Sequence, residues 1–195
     1  MILLLAVSLI SGAASEGFDR LGATHLLANF TFPQLGVLKP VSWFGIINIS
    51  SNLFSIFTTS IFGNRVEKVS KNSLVTVRVL FLLNILTVMS IVTFGLTGNF
   101  YLAGASLLVN GALAALSIPL YNTFLIQQID PKVRATVLSM ISQGNALGQI
   151  GGGPAVGAVG NRFSLRAAIV VSGLLISPAS FVYLRISRLP VKINN

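Results

Sequence analysis

The chain has 195 residues, of which 53% are hydrophobic and 9% charged, and its mean hydropathy is +0.85. That composition excludes an ordinary soluble domain and calls for a lipid bilayer around the protein. The formal charge of +9 comes from 13 Lys and Arg against 4 acids, standing in ones and twos between apolar runs; this is the pattern of membrane-span edges, with no basic face left for nucleic acid.

A helix crossing the hydrocarbon core needs about 20 mostly apolar residues, and six windows qualify. The first covers residues 2–22. Its opening, MILLLAVSLISGAAS, also has the apolar run and small residues of a signal peptide, but it lacks the basic n-region. Ser8, Gly12, Ser15 and Asp19 share one helical face. Glu16 and Asp19, one turn apart near the outer end, have two readings: carboxylates that bind a coupling proton or seal a gate, or an interfacial Glu16 that pairs with Arg20. A break from Thr31-Phe32-Pro33 to Lys39-Pro40 follows, with a solvated His25 and the sequon Asn29-Phe30-Thr31 in the outer loop.

The second window, residues 41–62, carries Asn48, Asn52, Ser55 and Thr59 on one face and ends at a charged connection from Gly63-Asn64-Arg65 to Lys71-Asn72. The third, residues 74–96, begins with Arg78, which either snorkels to the surface or binds substrate, and has little polar beyond Asn84 and Thr87. Thr97-Gly98-Asn99 separates it from the fourth, residues 100–124, with a stripe of Asn110, Ala114, Ser117 and Tyr121. After Asp130-Pro131-Lys132 comes the fifth, residues 136–159, bearing Ser139, Ser142, Gln143, Asn145 and Gln149. Gly160-Asn161-Arg162 closes it, and the sixth, residues 165–186, has only scattered serines.

Polar residues inside spans are costly and usually face a bundle interior or an aqueous cavity. The four polar stripes predict that spans one, two, four and five line a cavity and that three and six are outer supports. The plainer alternative is hydrogen bonding across tightly packed helices. Arg65, Lys68, Lys71, Arg78, Lys132, Arg134, Arg185, Arg188 and Lys192 fall on one side of the membrane, and Arg20, Lys39, Arg162 and Arg166 on the other. This bias puts the second and fourth connections and both termini in the cytoplasm. Trp43 and Tyr101 at outer ends, with Tyr121 and Tyr183 near inner ones, fit an aromatic belt.

Gln143 to Gly160 holds seven glycines and one proline. A dinucleotide fingerprint fails because Val156 stands where the third glycine belongs, and a Walker A loop fails because Ala158 follows Gly157. Read as a helix, Gly144, Gly148 and Gly152 form one small-residue stripe, and Gly153 with Gly157 another, each allowing close backbone approach. Pro154 withdraws an amide and lets the helix bend. Without cysteine there is no disulfide or thiolate site, and His25 alone makes no histidine-rich metal site; no metal, cofactor or catalytic set is expected, and the chain reads as a non-enzyme.

Six spans, the run QQIDPKVRATVLSM, the glycine-proline pattern GGGPAVG and the segment SEGFDRL resemble the C-terminal half of a major facilitator superfamily transporter. The resemblance implies an all-α membrane protein of six transmembrane helices, arranged as two inverted three-helix repeats. Gly63-Asn64-Arg65 and Gly160-Asn161-Arg162 end the second and fifth spans alike. It also implies that spans one, two, four and five line the cavity, with Glu16, Asp19, Asn48, Asn52, Asn110, Ser117, Gln143 and Asn145 as lining or coupling candidates. Arg65, Glu67, Lys68, Asp130 and Arg134 would lie in cytoplasmic connections. GNRVEKVSK departs from the family's gating loop in lacking the aspartate after the glycine, with Glu67 as a substitute.

The expected function is movement of a small-molecule substrate across the cell membrane by alternating access, with proton-coupled efflux as the more specific form. Because the family's substrate sits between two halves, the resemblance implies a separate N-terminal half or a second copy of the chain as partner. The alternative is a truncated or split product that inserts without transporting, suggested by Met1 standing directly at a span.

Overall fold

A computed structural model describes residues 2–34 and 39–188, so Lys192 and part of the first interhelical break lie outside the described residues. Six helices follow one another: α1 (Ile2–Asn29), α2 (Pro40–Ser70), α3 (Ser73–Leu96), α4 (Phe100–Gln127), α5 (Arg134–Arg162) and α6 (Leu165–Arg188). No strand occurs among the described residues.

Local chemistry explains most of the boundaries. Asn72 caps α3 by accepting from the amides of Leu74 and Val75 at 3.0 and 3.2 Å, and Asn99 caps α4 through Tyr101 and Leu102 at 2.9 and 3.2 Å. Pro40 opens α2, where its missing amide costs nothing. Two expected breaks are helical instead. Gly63 to Ser70 continues α2, and Gly160-Asn161-Arg162 forms the last turn of α5, because interior glycine lowers helix propensity without ending a helix whose next residues favour it. Likewise α1 runs on to Asn29, which takes His25 out of the expected loop.

Among the described residues, five helices are long and apolar enough to cross a membrane; α5, at 29 residues, is long enough, but its glycines and amides leave it less apolar than the others. Many large apolar side chains, among them Ile150, Phe163 and Phe181, are left exposed, as a surface facing lipid requires. The chain is therefore an all-helical protein built for multiple membrane crossings.

The packing is serial. α1 packs on α5 and α6, α4 packs on α2 and α3, and α3 joins α6 at the centre, with lighter contacts between α5 and α6 and between α2 and α3. α2 lies at one edge, and no residue of its most apolar stretch is buried. One core cluster, including Leu80, Leu120, Phe124 and Val77, lies toward the end carrying the α2–α3 and α4–α5 turns, called here the basic end. A second, around Phe94, Ile169 and Ala103, lies toward the opposite, aromatic end.

His25 sits in that second cluster, fully buried. Its Nε2 is 3.2 Å from the Phe94 carbonyl and its ring meets Phe30 and Phe94 edge-on, at 5.3 and 5.0 Å between centroids. The expectation of a solvated histidine is corrected: the longer α1 carries its ring into the aromatic packing. Trp43, placed by sequence at the outer belt, is also inside and donates to the Pro33 carbonyl at 3.2 Å, whereas Tyr101 is exposed.

Candidate functional site

A cavity of about 320 Å³ opens among α1, α3, α4, α5 and α6. Its size is at the lower end of the range for small-molecule sites, roughly 300–1,000 Å³. α1 contributes Val7, Ser8, Ser11 and Ser15, which helical spacing brings to one side. α3 contributes Leu80, Asn84 and Thr87, α4 contributes Ser117, Ile118 and Tyr121, and α6 contributes Ile176 and Tyr183. From α5 only Asn145 reaches it.

The polar groups are held by the bundle. Ser8 Oγ donates to the Ile141 carbonyl at 2.6 Å, and the Asn145 amide returns a bond to the Ser8 carbonyl at 3.3 Å, which joins α1 to α5 at the cavity wall. Asn145 Oδ1 accepts from Gln149 Nε2 at 2.9 Å. Asn84 Nδ2 donates to Ser180 Oγ at 2.7 Å and to the Ile176 carbonyl at 3.3 Å, tying α3 to α6. Tyr121 donates to the Leu4 carbonyl at 3.4 Å, bridging α4 and α1. Among the described residues, no Asp, Glu, Lys, Arg or His lines the cavity.

Ser117 and Asn145 thus meet at one cavity. Asn110 and Gln143 lie outside it, with Gln143 exposed. Asn48 and Asn52 do not line this cavity: both are exposed on α2, and each amide bonds the carbonyl one turn back, to Phe44 at 3.0 Å and to Asn48 at 2.9 Å. Because α2 touches the bundle mainly through α4, its stripe turns away from this cavity.

α3 and α6, expected as outer supports, both supply wall to this cavity. Asn84 and Thr87 form no stripe, because the rest of α3 is apolar. A lone Asn in an apolar span was the available signal, since such a side chain needs a partner. Tyr183, assigned to the inner belt, lines the cavity and is buried.

The carboxylates lie elsewhere. Glu16 is ion-paired with Arg20 in a separate groove between α1 and α5, beside Gln149, Gly153 and Pro154. Asp19 is exposed.

The glycines of α5 divide by environment. Gly148 and Gly152 are buried against the backbone of Leu9 and Ala13, and on α1 Gly12 lies against the backbone of Asn145. Gly144 has only ordinary contact with Leu5, Gly153 faces the Glu16 side chain, and Gly157 faces open space. Pro154 is exposed within an α5 that continues through it.

At the basic end, the Arg65 guanidinium lies 5.7 Å from the centre of the Phe62 ring, Glu67 pairs with Lys71 at 3.8 Å, and Lys68 is exposed. All three sit on the last turns of α2, not in a loop. Asp130 accepts from the Lys132 amide at 2.8 Å, and Arg134 opens α5 with its Nε buried and without a partner among the described residues. No cluster of three or more His, Cys, Asp or Glu that could hold a metal ion occurs among the described residues.

No protein-family model matches the chain, and no curated protein matches it.

Proposed function

We propose that the chain is a six-span half-bundle of the major facilitator type and that it moves a small solute across the cell membrane by alternating access, with α5 as the sixth span. The supporting observation is the pattern of packing. Exchanging α1 with α4, α2 with α5 and α3 with α6 turns the set of helix contacts into itself, as two inverted three-helix repeats require.

The correspondence extends to residues. Ala13 of α1 meets Gly148 and Gly152 of α5; in the exchanged pair, Gly111 of α4 faces Ser51 and Ser55 of α2. Ser51 and Ser55 stand to Gly148 and Gly152 in the register in which Gly63-Asn64-Arg65 stands to Gly160-Asn161-Arg162. Both joints place a small residue at the crossing, where two backbones come close.

In this reading the basic end is cytoplasmic, as are both termini, because Lys and Arg are retained on that side of the plasma membrane. The exposed amides of Asn48, Asn52 and Gln143 would be costly against hydrocarbon. They therefore mark faces covered by a separate N-terminal half or a second copy of the chain, and the central cavity is one wall of the solute path.

The absence of native cysteine makes the test direct. Ser117→Cys, expressed in sealed vesicles of each orientation, should react with a membrane-impermeant thiol reagent from both faces, because alternating access exposes the cavity to each side in turn. Labelling confined to one face, with or without co-expressed partner half, would refute the proposal.

A further inference from the structure

The hydrogen-bond directions inside the cavity reveal what it can hold. Ser8, Thr87 and Ser15 donate their hydroxyl hydrogens to backbone carbonyls at 2.6, 2.9 and 3.3 Å, and Ser117 does so at 3.4 Å. Each hydroxyl oxygen keeps lone pairs to offer. Asn84 is more specific. The Ile176 carbonyl can only accept, so it fixes the Asn84 NH2 toward α6 and leaves Oδ1 on the other side. That oxygen takes no bond from the described residues, yet Arg134 Nε is the only buried side-chain nitrogen or oxygen without a partner among them. Asn84 Oδ1 is therefore open to the cavity that its residue lines.

The site offers acceptors in excess, and donors at few positions: the Ser11 and Tyr183 hydroxyls and one amide hydrogen of Asn145. Among the described residues it has no charged side chain, so an ion placed there would lose its hydration without gaining a counter-charge from them. Val7, Leu80, Ile118 and Ile176 give it an apolar flank.

We infer that the cavity binds an uncharged solute that donates hydrogen bonds from hydroxyl groups and carries an apolar side. The inference rests on the reading of this cavity as the solute site, and it places any proton coupling outside the cavity, since Glu16 and Asp19 do not line it.

The test uses four probes on one skeleton, measured by calorimetric titration on the full chain in detergent without gradient or partner. The probes are 3-phenylpropane-1,2-diol, its dimethyl ether, the cation phenylalaninol and the anion 3-phenyllactate. The diol should bind at least 10-fold more tightly than the other three, since the ether lacks donors and the ions lack a counter-charge. Asn84→Asp should reverse the order of diol and phenylalaninol by introducing the missing anion. Ser117→Asp does the same on another helix, should the first variant lose its fold through the α3–α6 bond.

A charged probe or the ether binding as tightly as the diol, no measurable diol binding, or an unchanged order in a folded Asp variant would overturn the inference. Diol binding with one-sided Ser117→Cys labelling would instead refute transport and leave the inference standing. Two-sided labelling without diol binding would do the reverse.

Discussion

Gly148→Ala tests the close approach of α1 and α5 with the smallest perturbation available. A Cβ at 148 would lie 2.8 Å from the Ala13 amide nitrogen and 3.0 Å from the Leu9 carbonyl carbon, and would meet the Leu9 carbonyl oxygen more closely still. Ordinary contact begins at 3.4 Å, so α1 and α5 must separate by at least roughly 0.6 Å at Ala13 to admit one methyl group. The opposing atoms are backbone, which cannot rotate aside as a side chain can.

Overpacking of this kind costs about 1–3 kcal/mol, partly offset by about 1 kcal/mol from the better helix propensity of alanine. Gly151→Ala on the same helix is the control, because a Cβ there meets nothing within 4 Å and only the propensity gain remains. Reversible unfolding in mixed detergent micelles should therefore place Gly148→Ala below Gly151→Ala by about 1–3 kcal/mol, with Gly148→Leu and Gly152→Leu losing the α1–α5 joint. Equal stability of the two alanine variants, or normal insertion and stability of both leucine variants, would refute the close-approach argument.

Two further outcomes follow from the buried polar contacts. Asn84→Leu and Ser180→Ala should each destabilise the α3–α6 joint, and their double-mutant cycle should show a coupling of about 0.5–1.5 kcal/mol; additive effects would mean that the 2.7 Å bond between them contributes nothing. His25→Ala should cost about 3 kcal/mol in the same unfolding assay, since it removes a buried ring together with its bond to the Phe94 carbonyl. A change below about 0.5 kcal/mol, the ordinary range for an exposed position, would restore the solvated reading.

Helix identity and approximate position were legible in the sequence because hydropathy and capping are local. Asn72 and Asn99 mark the starts of α3 and α4 whatever the rest of the chain does. The density of glycine in α5 marked a helix that another must approach, since only a missing side chain permits such contact. Its partner surface, Leu9 and Ala13 of α1, carried no comparable mark, because ordinary residues can supply exposed backbone on the other side.

Which polar residues share a cavity was decided only by the tertiary structure. In a soluble helix the apolar stripe points to the core, but in a membrane helix both core and lipid sides are apolar, and periodicity loses its direction. Asn48 and Asn52 bond their own helix and face outward, whereas Asn84, in the most apolar span, turns inward between α3 and α6. A regular polar stripe satisfies its own backbone as readily as it lines a cavity. The helices and their close-packing glycines belong to the sequence alone; the charge-free, acceptor-rich wall exists only where five helices meet.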